Sequence, residues 1–118
     1  MDRYFWLRLG AISGAISVAM GAFGAHGLKK RYSNNPQKVA SWNTAAHYQL
    51  IHSVVLCLLS FTPRTSPLTG YLLSTGITLF SGSIYLLVLT EWKLLGPVTP
   101  IGGLCLIASW ISLAINNS

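Results

Sequence analysis

Acidic residues are almost absent from this sequence: among its 118 residues, only Asp2 and Glu91 carry a carboxylate. Charged residues of both signs make up 8% of the chain, against about 25% in an ordinary soluble domain. The apolar segments therefore lack the paired carboxylates that many hydrolases and cation pumps use. We expect no acid/base catalytic site, and we predict that the chain is not an enzyme.

Cysteine is also scarce, with only Cys57 and Cys105. These two residues lie in different apolar segments and form neither a CxxC motif nor a zinc-binding spacing. We interpret both as small buried hydrophobic residues, and we predict neither a metal site nor a cofactor.

The net charge of +6 comes from basic residues that lie at the ends of apolar segments. They are Arg3, Arg8, Lys29, Lys30, Arg31, Lys38, Arg64 and Lys93. This placement is typical of side chains that anchor helices at a membrane surface and contact anionic lipid. There is no basic face with interleaved aromatic residues, so we predict membrane lipids as partners and no nucleic acid.

What the sequence does have is apolar residues, which account for 52% of it. They form four segments, at about residues 4–28, 39–61, 67–90 and 97–115. A helix needs roughly 20 residues to cross about 30 Å of hydrocarbon, and backbone groups in lipid must be satisfied within the helix. We therefore predict an all-α fold, an integral membrane up-down four-helix bundle that forms a single transmembrane domain over residues 1–118.

The connections between the segments predict the order and the orientation of the helices. Those near Thr62 to Ser66 and Glu91 to Gly96 are short, which favours antiparallel neighbours. Five basic residues lie on the side of the first and third connections and three on the other side. By the positive-inside rule, the connection from Lys29 to Lys38 should face the cytoplasm or the mitochondrial matrix.

Small residues recur on one side of several predicted helices, and in lipid such residues let helix backbones approach closely. In the first helix the stripe also contains Ser13 and Ser17. The glycines that we predict to mediate helix packing are Gly10, Gly14, Gly21, Gly24, Gly102 and Gly103.

The second segment carries polar residues at bilayer depth. Gln49 and His52 share a face with Trp42, whereas His47 points about 140° away from His52 and cannot ligate the same metal. The candidate polar or ligand site comprises Gln49, His52, Tyr85, His26 and Tyr48. Interhelical hydrogen bonding and a ligand or proton site are both open interpretations of Gln49 and His52. Glu91 either pairs with a histidine near its membrane surface or is a solvated helix-end residue, and the second is favoured.

Several motifs resemble those of the YgdD-like family of small membrane proteins, which includes transmembrane protein 256 in animals. The motif residues are Phe23 to Gly27, Trp42, Thr44, Ala45, Tyr48, Gln49, His52, Gly82, Ser83, Tyr85, Leu95, Gly96, Thr99, Pro100, Gly102, Gly103 and Trp110. The segment Thr90 to Lys93 departs from the small or glycine residues expected before Leu95. The resemblance implies a four-helix protein of the bacterial inner membrane or the mitochondrial inner membrane, with no established biochemical activity.

Two functions follow as hypotheses. The first is a structural or accessory subunit of a larger membrane assembly, respiratory if the protein is mitochondrial, or a homo-oligomer. The alternative is a binder of a lipid, quinone or other small hydrophobic ligand through an inward polar patch on the second helix. A haem protein is disfavoured because His26 and His52 lie at different depths, and a channel is disfavoured because no span contains a ring of charge.

Overall fold

The computed structural model describes residues 4–62 and 64–115, and this part of the chain is all-helical, as predicted. Its four long helices are α1 (Phe5–Arg31), α2 (Pro36–Leu59), α3 (Pro67–Thr90) and α4 (Val98–Ile115). A short 3₁₀ turn, Lys93–Leu95, precedes α4. Asp2 and Arg3, which enter the charge counts, and Pro63 in the second connection lie outside the described residues.

The helix bounds differ from the predicted segments mainly around the first connection. Helix α1 continues to Arg31 rather than ending near residue 28, because basic residues favour the C-terminal end of a helix dipole. Helix α2 begins at Pro36, three residues before the apolar segment that starts at residue 39, because proline is favourable in the first turn of a helix. Helix α3 begins in the same way at Pro67, where the Ser66 hydroxyl oxygen accepts a hydrogen bond of 3.2 Å from the backbone N–H of Leu68.

Helices α1 and α2 pack along each other in opposite directions. Near the start of α1, the backbone N–H of Leu7 donates to Ser60 Oγ at 2.9 Å. Near its end, Trp42 Nε1 donates to the carbonyl of Met20 at 2.7 Å. Helices α3 and α4 form a second packed pair, and α2 and α3 join the two pairs.

The interior contains two apolar clusters, one toward each end of a bundle about 50 Å long. One contains Leu28, Trp42, Ala45, Ala46, Tyr85 and Val88, and the other contains Val55, Leu56, Leu59, Leu73, Ile77 and Leu106. Along α2, Gln49, His52 and Ser53 fall between the members of the two clusters, and all three are buried. The bundle therefore places a polar layer between two apolar cores.

By length and composition, three helical segments of the described chain could cross a membrane: Phe5–Arg31, Pro67–Thr90 and Lys93–Ile115. Helix α2 has 24 residues but is not among them, because polar side chains such as Asn43 and His47 lower its hydropathy. Three of the four predicted segments are therefore helices long and apolar enough to span a membrane, and the crossing of the membrane by all four helices stays a prediction.

The glycines predicted to mediate packing differ in how closely other helices approach them. A Cβ atom at Gly10, Gly24 or Gly102 would lie within 2.7 Å of an atom of another helix. A Cβ at Gly14 or Gly103 would make ordinary contacts, at 3.8 Å and 3.6 Å respectively. At Gly21, no heavy atom outside the local helix backbone lies within 4 Å. Only some of the small residues on these faces therefore lie where two helices are in close contact.

Glu91 ends α3 in a left-handed backbone conformation with φ of 58°, which is unfavourable for a residue with a Cβ atom. Its carboxylate is hydrogen-bonded to the Lys38 ammonium, which ties the end of α3 to the start of α2. That bond, together with the positive charge, holds the pKa of the Glu91 carboxyl below its usual range. Glu91 is thus an exposed helix-end residue whose partner is a lysine rather than a histidine.

We expect Glu91→Gly to be more stable than Glu91→Ala by a few degrees in melting temperature, because only glycine relieves the left-handed strain. Both variants lose the Lys38 pair. That pair stabilises the wild type at pH values above the usual pKa of a glutamate. The stabilisation is lost as the pH falls through the lowered pKa of Glu91. The advantage of wild type over Glu91→Ala should therefore shrink in acid. Thermal unfolding in mild detergent at neutral and acidic pH measures both effects, and equal stability of the two variants would argue against the strained conformation.

Candidate functional site

Gln49 is the centre of a hydrogen-bonded cluster that joins three helices. Its Nε2 donates to the carbonyl oxygen of Ser13 at 3.0 Å and lies 3.3 Å from Ser13 Oγ, both on α1. Its Oε1 accepts a hydrogen bond of 2.7 Å from the Tyr85 hydroxyl of α3. Ser53 Oγ completes the cluster, at 2.7 Å from Ser13 Oγ and 2.5 Å from the carbonyl oxygen of Gln49. Both ends of the buried amide are therefore satisfied by the protein itself.

His52 belongs to a separate set of contacts that connects α2 to α4. Its Nδ1 lies 2.6 Å from the carbonyl oxygen of Tyr48, and a carbonyl only accepts, so Nδ1 carries the hydrogen. Its Nε2 accepts a hydrogen bond of 3.0 Å from Trp110 Nε1. The imidazole is therefore a neutral ring with both nitrogens engaged. No ring nitrogen of His52 is left free to ligate a haem iron in this arrangement.

The other two candidate residues lie outside the cluster around Gln49. Tyr48 is exposed, and its ring lies 6.0 Å from the His52 ring and 5.0 Å from the Phe80 ring. His26 lies near the end of α1, in a π-helical turn that covers Gly24–Leu28. The structure thus brings Gln49 and Tyr85 into contact and places the rings of Tyr48 and His52 near each other. His26 lies apart from both, near the end of α1.

Three partners of this site were not predicted as site residues: Ser13, Ser53 and Trp110. Ser13 lies in the small-residue stripe of α1, and Trp110 is among the motif residues of the family resemblance. Both signals were present in the sequence. These signals do not show which residues of other helices Ser13 and Trp110 contact, because those contacts depend on how the helices are rotated relative to each other.

Hydroxyl groups make further ties between the helices. Ser81 Oγ donates to the carbonyl of Ala45 at 2.7 Å, which connects α3 to α2. The pairs Thr69 with Ser112 and Ser83 with Thr99, at oxygen distances of 2.6 and 2.5 Å, connect α3 to α4. The polar side chains of the inward faces therefore serve as contacts between helices. Within residues 4–62 and 64–115, no group of three or more potential ligand side chains could hold a metal ion.

Two open grooves lie at the end of the bundle that carries the first and third connections. One, of about 970 Å³, separates the end of α1 from the start of α2, and His26 lines it. The other, of about 570 Å³, lies between α2, α3 and α4, and Thr99 and Pro100 line it. Neither groove is lined by Gln49 or His52. The polar cluster and the grooves are therefore distinct sites.

Comparison with known proteins finds close relatives over most of the chain. Residues 20–103 match a family described as a protein of unknown function, DUF423. A UPF0382 membrane protein of Staphylococcus haemolyticus is 42% identical, over 92% of this chain and 91% of the relative. A UPF0382 membrane protein of Schizosaccharomyces pombe is 42% identical, over 89% and 94% of the two chains. The UPF0382 membrane protein YwdK of Bacillus subtilis is 38% identical, over 91% and 90%. No solved structure is significantly similar.

Proposed function

The chain belongs to the DUF423 family, whose relatives are membrane proteins, and from this premise we propose that it acts as a non-enzymatic accessory subunit of a larger membrane assembly. The membership confirms the family resemblance seen in the sequence motifs, and the chain is a membrane protein of unknown biochemical activity. The accessory role is a hypothesis, because the descriptions of the family and its relatives assign no role.

The observation that carries the proposal is the use of inward polar groups as contacts between helices. Gln49 and His52 make hydrogen bonds with other residues of the bundle, so their polar atoms are already engaged. What the molecule presents outward is a set of large apolar side chains. The most exposed of these include Ile12, Val18, Val54, Leu104, Ile107 and Ile115. Such a surface contacts lipid or the apolar surface of another membrane protein.

The proposed topology has four crossings, with α2 as the fourth. The polar side chains that lower the hydropathy of α2 include Gln49, His52 and Ser53, and all three are buried within the bundle. These side chains would not contact lipid, so the free-energy cost of placing them within the bilayer is reduced. In this topology the first and third connections face the cytoplasm or the mitochondrial matrix. The membrane would be the bacterial inner membrane, or the mitochondrial inner membrane in a eukaryote.

Site-specific photo-crosslinking in intact membranes tests the accessory role. A photoreactive residue at Leu104, which is 66% exposed, should give adducts with another membrane protein. The matched control places the photoreactive residue at Leu106, which lies on the same helix and is 4% exposed. This position should give no adducts with another protein. In parallel, the tagged protein extracted with mild detergent should migrate on native gels within an assembly much larger than its own 12.8 kDa. Migration only as a free small species, with no protein adducts from outward positions on any helix, would contradict the proposal.

The alternative, a hydrophobic-ligand site around Gln49 and His52, has less support. A ligand there would have to displace hydrogen bonds between helices, since the amide of Gln49 and both nitrogens of His52 are engaged. Ligand sites usually keep a cavity and a few unpaired polar groups for the ligand.

A further inference from the structure

The groove between the end of α1 and the start of α2 combines apolar walls with positive charge. It has a volume of about 970 Å³ and is open to the surroundings. Its apolar lining includes Ala25, Val39 and Ala40, and Lys29 and Lys30 also line it. The groove therefore suits an amphiphile with a negative charge, because one molecule can satisfy both kinds of lining.

The charge of the two lysines is not neutralised by a carboxylate of the described chain. The single carboxylate within residues 4–62 and 64–115 is Glu91, and it pairs with Lys38. Lys29 and Lys30 are both exposed. The groove therefore keeps its positive charge and attracts an anion.

The groove also offers further hydrogen-bonding groups, on His26 and Asn43. His26 Nδ1 lies 2.9 Å from the carbonyl oxygen of Ala22 and donates to it, which leaves Nε2 for a bound molecule. Asn43 of α2 also lines the groove, on the wall opposite α1. These groups lie where the long apolar helix α1 ends in Lys29, Lys30 and Arg31, the level at which basic residues meet lipid headgroups.

We propose that this groove binds an anionic phospholipid, with the headgroup phosphate at Lys29 and Lys30 and the upper part of an acyl chain along Val39 and Ala40. Two ammonium groups are electrostatically complementary to a headgroup with a net negative charge. A zwitterionic headgroup would bring its own cation toward the lysines and bind less tightly. The inference does not rest on the accessory role, since it concerns the helix ends and not the outward apolar faces.

Lipid binding to the purified full chain in detergent micelles tests the proposal. The probes are dioleoyl phosphatidylglycerol and dioleoyl phosphatidylcholine, which share acyl chains and differ in net charge, and native mass spectrometry counts the bound lipid. The wild type should retain phosphatidylglycerol in preference to phosphatidylcholine. The double variant Lys29→Gln/Lys30→Gln should bind phosphatidylglycerol about 30-fold more weakly. Equal retention of the two lipids by the wild type would overturn the proposal.

The matched control is Arg64→Gln/Lys93→Gln, which removes the same net charge from exposed residues outside the groove. It should leave phosphatidylglycerol binding within about twofold, and a loss equal to that of the lysine variant would show non-specific attraction and overturn the proposal. Glycerol 3-phosphate supplies the headgroup without acyl chains. It should compete poorly, and displacement of the lipid at equal concentration would indicate a simple anion site and also overturn the proposal.

Ala40 tests the apolar wall without changing any charge. Ala40 is exposed, so Ala40→Trp should fold normally, fill the groove and abolish the preference for phosphatidylglycerol. Unchanged binding by this variant would contradict the groove as the site. A photoreactive residue at Ala40 in intact membranes should yield a phospholipid adduct, whereas a protein adduct would assign the groove to a different occupant.

Discussion

Gly102→Ala is expected to destabilise the protein by about 3 kcal/mol, because the new methyl group would collide with backbone atoms of another helix. A Cβ atom at this position of α4 would lie 2.3 Å from the backbone nitrogen of Phe80 and 2.7 Å from the carbonyl carbon of Leu79. Both atoms belong to the π-helical turn Thr78–Gly82 of α3. Backbone atoms within a helix cannot rotate aside as a side chain can, so α3 and α4 would have to separate.

Gly103→Ala is the matched control, one position along the same helix. Its Cβ would lie 3.6 Å from Phe80 Cδ1, which is an ordinary contact. Alanine is a better helix former than glycine by about 1 kcal/mol, so this variant should be as stable as the wild type or slightly more stable. Unfolding by increasing SDS in mixed micelles, followed by circular dichroism, measures both variants. Equal stabilities for Gly102→Ala and Gly103→Ala would show that the helices are farther apart than described.

Gln49→Leu should cost about 2 kcal/mol of stability, because the change breaks the hydrogen bonds of a buried amide and leaves the buried Tyr85 hydroxyl without an acceptor. The Tyr85 hydroxyl loses its acceptor, and the carbonyl of Ser13 loses its donor. Tyr85→Phe alone should cost about 0.6 kcal/mol, the average contribution of a hydrogen bond between helices in a membrane. In the double variant the unpaired hydroxyl is gone, so its cost should be smaller than the sum of the two single costs.

Tyr71→Phe serves as the control for this cycle, since Tyr71 lies on α3 as Tyr85 does but is 53% exposed. Its effect should be small and should add to that of Gln49→Leu, because the two residues share no hydrogen bond. The readout is the same unfolding experiment. Strict additivity of Gln49→Leu with Tyr85→Phe would mean that the hydrogen bond between the two side chains contributes nothing to stability.

Some local features of the helices could be predicted from the sequence alone, and others could not. Helix α3 begins at Pro67, where its predicted segment begins, and α2 begins at Pro36, within three residues of its predicted segment; at both starts a proline in the first turn is the local signal. The inward face of α2, with Gln49 and His52, could be predicted from helical periodicity because both residues share a face with Trp42, and all three are buried. The tight contacts of some glycines and the open surroundings of Gly21 could not be distinguished, because all six share the same local pattern.

The amino-acid sequence by itself determined the all-helical class, the approximate lengths of the helices, the membrane family and the polar character of α2. These properties depend on composition, on capping and on motifs that lie within one segment. Only the tertiary structure decided that Gln49 meets Ser13 and Tyr85, and that His52 meets Trp110. The partners lie 36 or more positions apart, and their contact depends on the rotation and separation of whole helices, which no single segment of sequence encodes.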